Sequence, residues 1–114
     1  MRNMSFALTT RQILDRSKDV TRRCAWWGLE GGEILQAVEK GQGLKAGQTI
    51  VRLAVIRIVS ARPERLDRIT AAEVRREGFG GWSPGVWIQW ACRNVPGLRP
   101  ESMVNRIQFR YLAG

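Results

Sequence analysis

The sequence predicts a single α+β domain over residues 1–114, on three observations. Alternating strand patterns stand near both ends of the chain. An apolar run from Val51 to Ser60 lies between them, and two helices with explicit start signals follow that run. A length of 114 residues accommodates one hydrophobic core, and an apolar fraction of 44% is that of a folded chain rather than a disordered one.

Taken in order, Met4, Phe6 and Leu8 alternate with Ser5 and Ala7, which predicts a first strand with one buried face. Thr9 and Thr10 can cap a short helix running to about Arg16 and burying Ile13 and Leu14. The segment Lys18-Asp19-Val20-Thr21-Arg22-Arg23 reads as a turn entering an extended stretch. Residues Gly28 to Gly47 are glycine-rich, with a strand pattern over Glu33–Glu39 and a turn at Leu44-Lys45-Ala46-Gly47.

The run Val51–Ser60 is apolar on both faces and is expected at the centre of the sheet. Arg52 and Arg57 interrupt it, so each should reach an edge, a bulge or a polar cleft. Thr70 with Glu73 forms a capping box, Ile69 with Val74 a hydrophobic staple, and Gly78 a left-handed cap after Glu77. Ser83-Pro84 starts a second helix carrying Val86, Trp87, Trp90 and Ala91 on one side and stopping before Pro96. In the last strand, Val104–Leu112, Ile107, Phe109 and Tyr111 are expected inward and Arg106, Gln108 and Arg110 outward.

Composition narrows the chemistry. The chain has no histidine, which removes imidazole acid–base catalysis, the usual triads and the commonest zinc ligands. With only Cys24 and Cys92 besides, no metal site is expected, and no cofactor. The two thiols are expected to stay reduced. No apolar run is long enough to span a bilayer, and the start Met1-Arg2-Asn3-Met4 lacks the features of a signal peptide, so a cytoplasmic location is expected.

Nineteen basic against ten acidic residues give a net charge of +9, which points to an anionic partner, a nucleic acid such as RNA or a nucleotide. Sixteen of the nineteen are arginine, so genome composition is the competing explanation for their abundance.

The order of these elements, with Lys18-Asp19-Val20-Thr21-Arg22-Arg23, Trp26-Trp27, Val38-Glu39-Lys40-Gly41-Gln42-Gly43-Leu44, Arg75-Arg76-Glu77-Gly78-Phe79, Trp90-Ala91-Cys92-Arg93 and Arg106-Ile107-Gln108-Phe109-Arg110-Tyr111-Leu112, resembles the ASCH family, closest to its short bacterial and prophage members. The resemblance covers nearly the whole chain. It implies a PUA-like mixed β-barrel with flanking helices and a cleft facing RNA. Family members include RNA binders, small ribonucleases and amidohydrolases that remove the acetyl group of N4-acetylcytidine. Carried over by position, the amidohydrolase pattern places its lysine on Lys18, its threonine on Thr21, its glutamate on Glu77 and a following arginine on Arg23. Asp19 stands where those relatives often have a further threonine.

The residue chemistry is compatible with such a set. Lys18 lies among Arg16, Arg22 and Arg23, a setting that lowers a lysine pKa. Glu77 at a helix C-terminus is expected to have its pKa raised and to act as a proton shuttle. Arg23 can hold an oxyanion or phosphate in bidentate fashion. The plain alternatives are solvated turn charges for Lys18 and Arg22, a strand filler for Thr21, and a surface pair with Arg75 for Glu77. Trp87 and Trp90, at helical spacing, read as core, whereas Trp26, Trp27 and Trp82 are free to stack on bases.

Three functions therefore stand side by side. A binding module would use Lys18, Arg22, Arg23 and Arg57 on phosphates and Trp26 and Trp27 on bases. A hydrolase acting on RNA or a modified nucleoside would use Lys18, Thr21 and Glu77, and these with Arg23 should line one concave surface. A non-catalytic phage interaction protein would need neither set.

Overall fold

A computed structural model of the protein describes residues 1–41 and 44–112. Its strands are β1 (Arg2–Ser5), β2 (Val20–Arg23), β3 (Ile34–Val38), β4 (Arg52–Arg65) and β5 (Met103–Tyr111). Its helices are α1 (Thr10–Leu14), α2 (Ala71–Arg76) and α3 (Pro84–Asn94), with short 3₁₀ turns at Ala7–Thr9 and Leu66–Arg68. The strands form one curled sheet in the order β1-β3-β4-β5-β2. β1 and β3 are parallel and the other neighbours antiparallel. The apolar run does occupy the centre, as part of the longer β4.

Two irregularities bend this sheet. Between Ala37 and Val38 the register slips, and Arg52, exposed, stands opposite Val38 at that bulge. A second slip falls between Ile58 and Ser60. There the glycine-rich loop closes on β4: Gly32 N–H donates to the Ile58 carbonyl at 2.7 Å, and a Cβ on Gly31 would lie 2.7 Å from the Val59 carbonyl oxygen. Only glycine permits that approach.

Two apolar clusters fill the domain. Met4, Phe6, Ile13, Leu35, Ile56 and Phe109 pack inside the curl of the sheet. Leu66, Val74, Phe79, Trp87, Ala91 and Val104 pack between the sheet and the pair α2 and α3. Each fully buried side chain of this size contributes roughly 1.5–3 kcal/mol.

The helix signals act locally. Thr70 Oγ1 accepts the Glu73 N–H at 3.2 Å, and Ser83 Oγ accepts the Val86 N–H at 3.2 Å. Past α2, Gly78 (φ +98°) donates to Arg75 and Phe79 to Val74, a Schellman closure with Phe79 and Val74 in one cluster. The turn near Leu44–Gly47 is present as a Gln48 N–H bond to the Lys45 carbonyl at 3.0 Å. Gln42 and Gly43, part of the run 38–44 that resembles the ASCH family, lie outside the described residues.

Several expectations need correction. The first strand stops at Ser5, and the chain turns through 7–9, leaving Leu8 exposed. α1 ends at Leu14, which is exposed while Ile13 is buried, and Arg16 adopts φ +62° rather than extending the helix. Val86 is exposed, since the buried side of α3 centres on Trp87 and Ala91. β4 is buried on one face only; Arg57 and Val59 face outward. Arg106 is buried, because α2 covers the face of β5 on which it lies. Among the described residues, no helix is long and apolar enough to cross a membrane.

Candidate functional site

The site lies where the chain passes from α1 into β2, against the C-terminal end of α2. Asp19 N–H donates to the Arg76 carbonyl at 2.9 Å, and Tyr111 Oη donates to the Lys18 carbonyl, so the segment is held from two sides. Gly78 lets these elements meet: a Cβ there would lie 2.5 Å from Gln12 Cγ and 3.3 Å from Lys18 Cβ. That close approach aims Glu77 and Lys18 at each other from positions 59 residues apart.

Lys18 Nζ lies 2.6 Å from Glu77 Oε1 and also donates to the Glu77 carbonyl at 3.2 Å; both side chains are only 3% exposed. Arg22, 1% exposed, bonds Glu77 Oε2 at 2.9 Å, Glu64 Oε2 at 2.8 Å and Glu73 Oε1 at 2.9 Å. Arg106 takes both oxygens of Glu73, at 2.8 and 3.1 Å. Lys18, Arg22 and Arg106 thus interleave with Glu64, Glu73 and Glu77 in a seam between the two apolar clusters, with Arg62 and Arg76 reaching its edge. Burial makes such a seam depend on complete pairing.

Titration follows the same geometry. Burial pushes the Lys18 ammonium below its ordinary value, Glu77 opposes this, and Arg23 and Arg22 add to it. Burial also lowers Arg23, to about 10, against the pull of Glu77. At Arg22 burial acts in the same direction, but Glu77 and Glu64 outweigh it and hold the guanidinium above its usual value. The Arg106 hydrogen bonds, helped by Arg22, bring Glu73 down to about 2 despite its partial burial.

Beside the seam opens a cavity of about 300 Å³. Phe6, Leu8, Leu66, Trp87, Trp90 and Leu98 give it apolar walls, and Lys18, Thr21, Arg23, Cys24 and Glu77 form its polar side. Arg23 Nε donates to Thr21 Oγ1 at 3.0 Å, and its guanidinium lies 4.6 Å from the centre of the Phe6 ring. The structure therefore brings Lys18, Thr21, Arg22, Arg23 and Glu77 to one concave surface.

It does not bring the other candidates there. Arg57 projects from the outer face of β4, opposite Arg110. Trp26 (φ +67°) packs against the sheet core beneath the Arg2 guanidinium and gives its carbonyl to Asn105, and Trp27 is exposed; neither lines the cavity. Arg22 lines the cavity, but its guanidinium is taken up by three carboxylates and has no face left for a phosphate. Glu77 pairs with Lys18 and Arg22 rather than Arg75.

Trp87 and Trp90, expected as core alone, are core and cavity wall at once. Glu64, Glu73 and Arg106 escaped sequence analysis. Nothing in the local pattern separates Arg106 from Arg110 of the same strand, since only the packing of α2 buries the first. Cys24 is an exposed free thiol and Cys92 a partly buried one. Among the described residues, no group of three or more potential ligands is placed to hold a metal.

No family model matches the sequence, and no curated protein matches it. The fold does match solved structures. The ASCH domain of Lactobacillus crispatus JV V101 superposes with a TM-score of 0.65 at 17% identity, over 96% of this chain and 78% of that one. A protein of Enterococcus faecalis V583, described under the family name DUF984, superposes with a TM-score of 0.69 at 11% identity, over 97% of this chain and 79% of that one. With its curled five-stranded sheet and helices packed against it, the chain has the α+β fold of that ASCH domain.

Proposed function

We propose that the cavity binds a nucleobase or nucleoside, free or presented by single-stranded RNA, and that Lys18, Thr21 and Glu77 hydrolyse an acyl-amide bond on it. The supporting observation is the Lys18–Glu77 pair, 2.6 Å apart and 3% exposed, with Thr21 and Arg23 on the polar side of a cavity whose other walls are aromatic and aliphatic. An apolar pair of similar volume would serve the fold as well or better, so a buried ion pair beside a cavity favours a chemical role. The walls suit a flat heteroaromatic ring, and the volume is at the small end for ligand pockets, fitting a nucleoside rather than a stretch of polymer. Ribonuclease chemistry is less well served, since Arg23 is the one cavity arginine that no carboxylate engages within 4.0 Å among the described residues.

In this mechanism unprotonated Lys18 takes the hydroxyl proton of Thr21, and Oγ1 bonds to the acyl carbon. Arg23, already on Thr21, stabilises the oxyanion. The proton passes from Lys18 through Glu77 to the leaving nitrogen as the C–N bond breaks. Water then cleaves the acyl-threonine: its hydroxyl joins the acyl carbon and its proton passes through the pair to Thr21 Oγ1 as that C–O bond breaks, releasing the acid and restoring the hydroxyl. Lowering of the Lys18 pKa by burial favours the first step.

The test is acetate release from N4-acetylcytidine by the purified protein. Thr21→Val and Glu77→Gln are expected to lower kcat by about 10²–10⁴ with a far smaller change in KM. The kcat/KM profile should rise with an apparent pKa below the 10.5 of an ordinary lysine. Absence of both acetate release and calorimetric cytidine binding, in protein shown folded by circular dichroism, would overturn the proposal.

A further inference from the structure

A second concavity, of about 430 Å³, lies on the other side of the Lys18 segment and of the end of α2. Arg16, Arg75, Arg76 and Arg110 surround it, with Asp19 and Tyr111. Asp19 is engaged by Arg76 at 3.0 Å. Arg16, Arg75 and Arg110 are exposed, and among the described residues none has a carboxylate within 4.0 Å. Arg57, also exposed, stands directly opposite Arg110 across β4 and β5 and extends the row.

One feature of this row is unfavourable unless an anion is near. Like charges directly opposite on neighbouring strands repel, as Arg57 and Arg110 do. Arg16 takes the left-handed position that closes α1 (φ +62°), and its guanidinium lies 5.0 Å from the centre of the Tyr111 ring at the rim of the concavity. The guanidinium fork matches a phosphate bidentately, and a row of such forks matches phosphates repeated along a chain.

We infer that this outer concavity holds the phosphodiester backbone of single-stranded RNA, with Arg16, Arg75 and Arg110 as the phosphate ligands. The inference stands on the outer face alone and does not depend on what the cavity binds. It moves the polyanion surface away from Arg22, which three carboxylates neutralise, and from Arg23, which faces the cavity, to arginines exposed on the outer face.

The test is fluorescence anisotropy with a labelled oligouridylate of about fifteen nucleotides, titrated with salt. Three contacts at about −0.7 each give a log–log slope near −2. The variant Arg16→Ala/Arg75→Ala/Arg110→Ala should bring the slope close to zero and weaken binding at low salt at least tenfold. A control, Arg62→Ala/Arg65→Ala/Arg99→Ala, removes the same formal charge from arginines paired with Glu64, Asp67 and Glu101, and should retain most of the affinity. Equal losses in the two variants would mean net charge alone binds RNA and would overturn the site. So would wild-type protein that shows no salt-dependent binding, or that binds polyglutamate of equal length as tightly. Cytidine affinity of the first variant, measured by calorimetry, should be unchanged, which separates this site from the cavity.

Discussion

Arg22 and Arg110 are both strand arginines, one on the cavity side of the domain and one on the outer face. Arg22 is 1% exposed and bonded to Glu64, Glu73 and Glu77, whereas Arg110 faces solvent with no carboxylate partner among the described residues. The first belongs to a seam of paired charges that joins two apolar clusters. The second contributes to the net charge of +9 without contributing to packing. An arginine count therefore describes two unrelated things: cations that hold the fold and cations left over for a partner.

The largest expected effect would break the contrast if it failed. Arg22→Ala takes from Glu64, Glu73 and Glu77 the one cation that all three share in a largely buried seam, and should cost about 3–5 kcal/mol. Arg110→Ala should cost less than about 0.5 kcal/mol, as a surface change does. Urea denaturation of both variants measures the difference; similar losses would mean that the seam is as solvated as the surface.

A second comparison asks whether the Lys18–Glu77 pair serves stability at all. Lys18→Met alone strands Glu77 beside Arg22 and should cost somewhat less than the Arg22 change, about 2–4 kcal/mol, because one cation remains. Adding Glu77→Leu should restore about half of that loss or more while leaving no acetate-releasing activity. A double variant less stable than the single one would show that the pair is there for the fold, against the chemical role proposed for it.

The smallest effect is on acid stability. Glu73 is held at about 2 in the folded protein, against 4.5 for an ordinary glutamate, chiefly by Arg106. A depressed carboxylate pKa stabilises the fold above the unfolded value, and that contribution is lost as pH falls from about 4.5 through about 2. Glu73→Gln should therefore flatten the loss of thermal stability across that window. The exposed pair Arg99–Glu101 should not matter there, and Glu101→Gln is the matching control.

Much of the fold was legible because its signals are short-range. Thr70, Glu73 and Gly78 specify the start and stop of α2 within a few residues of themselves, and Ser83-Pro84 does the same for α3. The Val51–Ser60 run marked the central strand by hydrophobicity alone. Leu8, Leu14 and Val86 were misplaced because a local apolar pattern does not reveal that the chain turns at 7–9 or which side of a short helix is covered.

The sequence by itself determined the elements, the α+β class and, through the family resemblance, which residues to watch. Tertiary structure alone decided which charges are paired. Glu77 finds Lys18 across 59 positions because Gly78 lets α2 abut α1, and Glu73 leaves its capping-box role half made to bind Arg22 and Arg106. A cap depends on neighbours within one helical turn, so the chain spells it out. The fate of a charge depends on what excludes water from it, and that is known only once distant segments have packed.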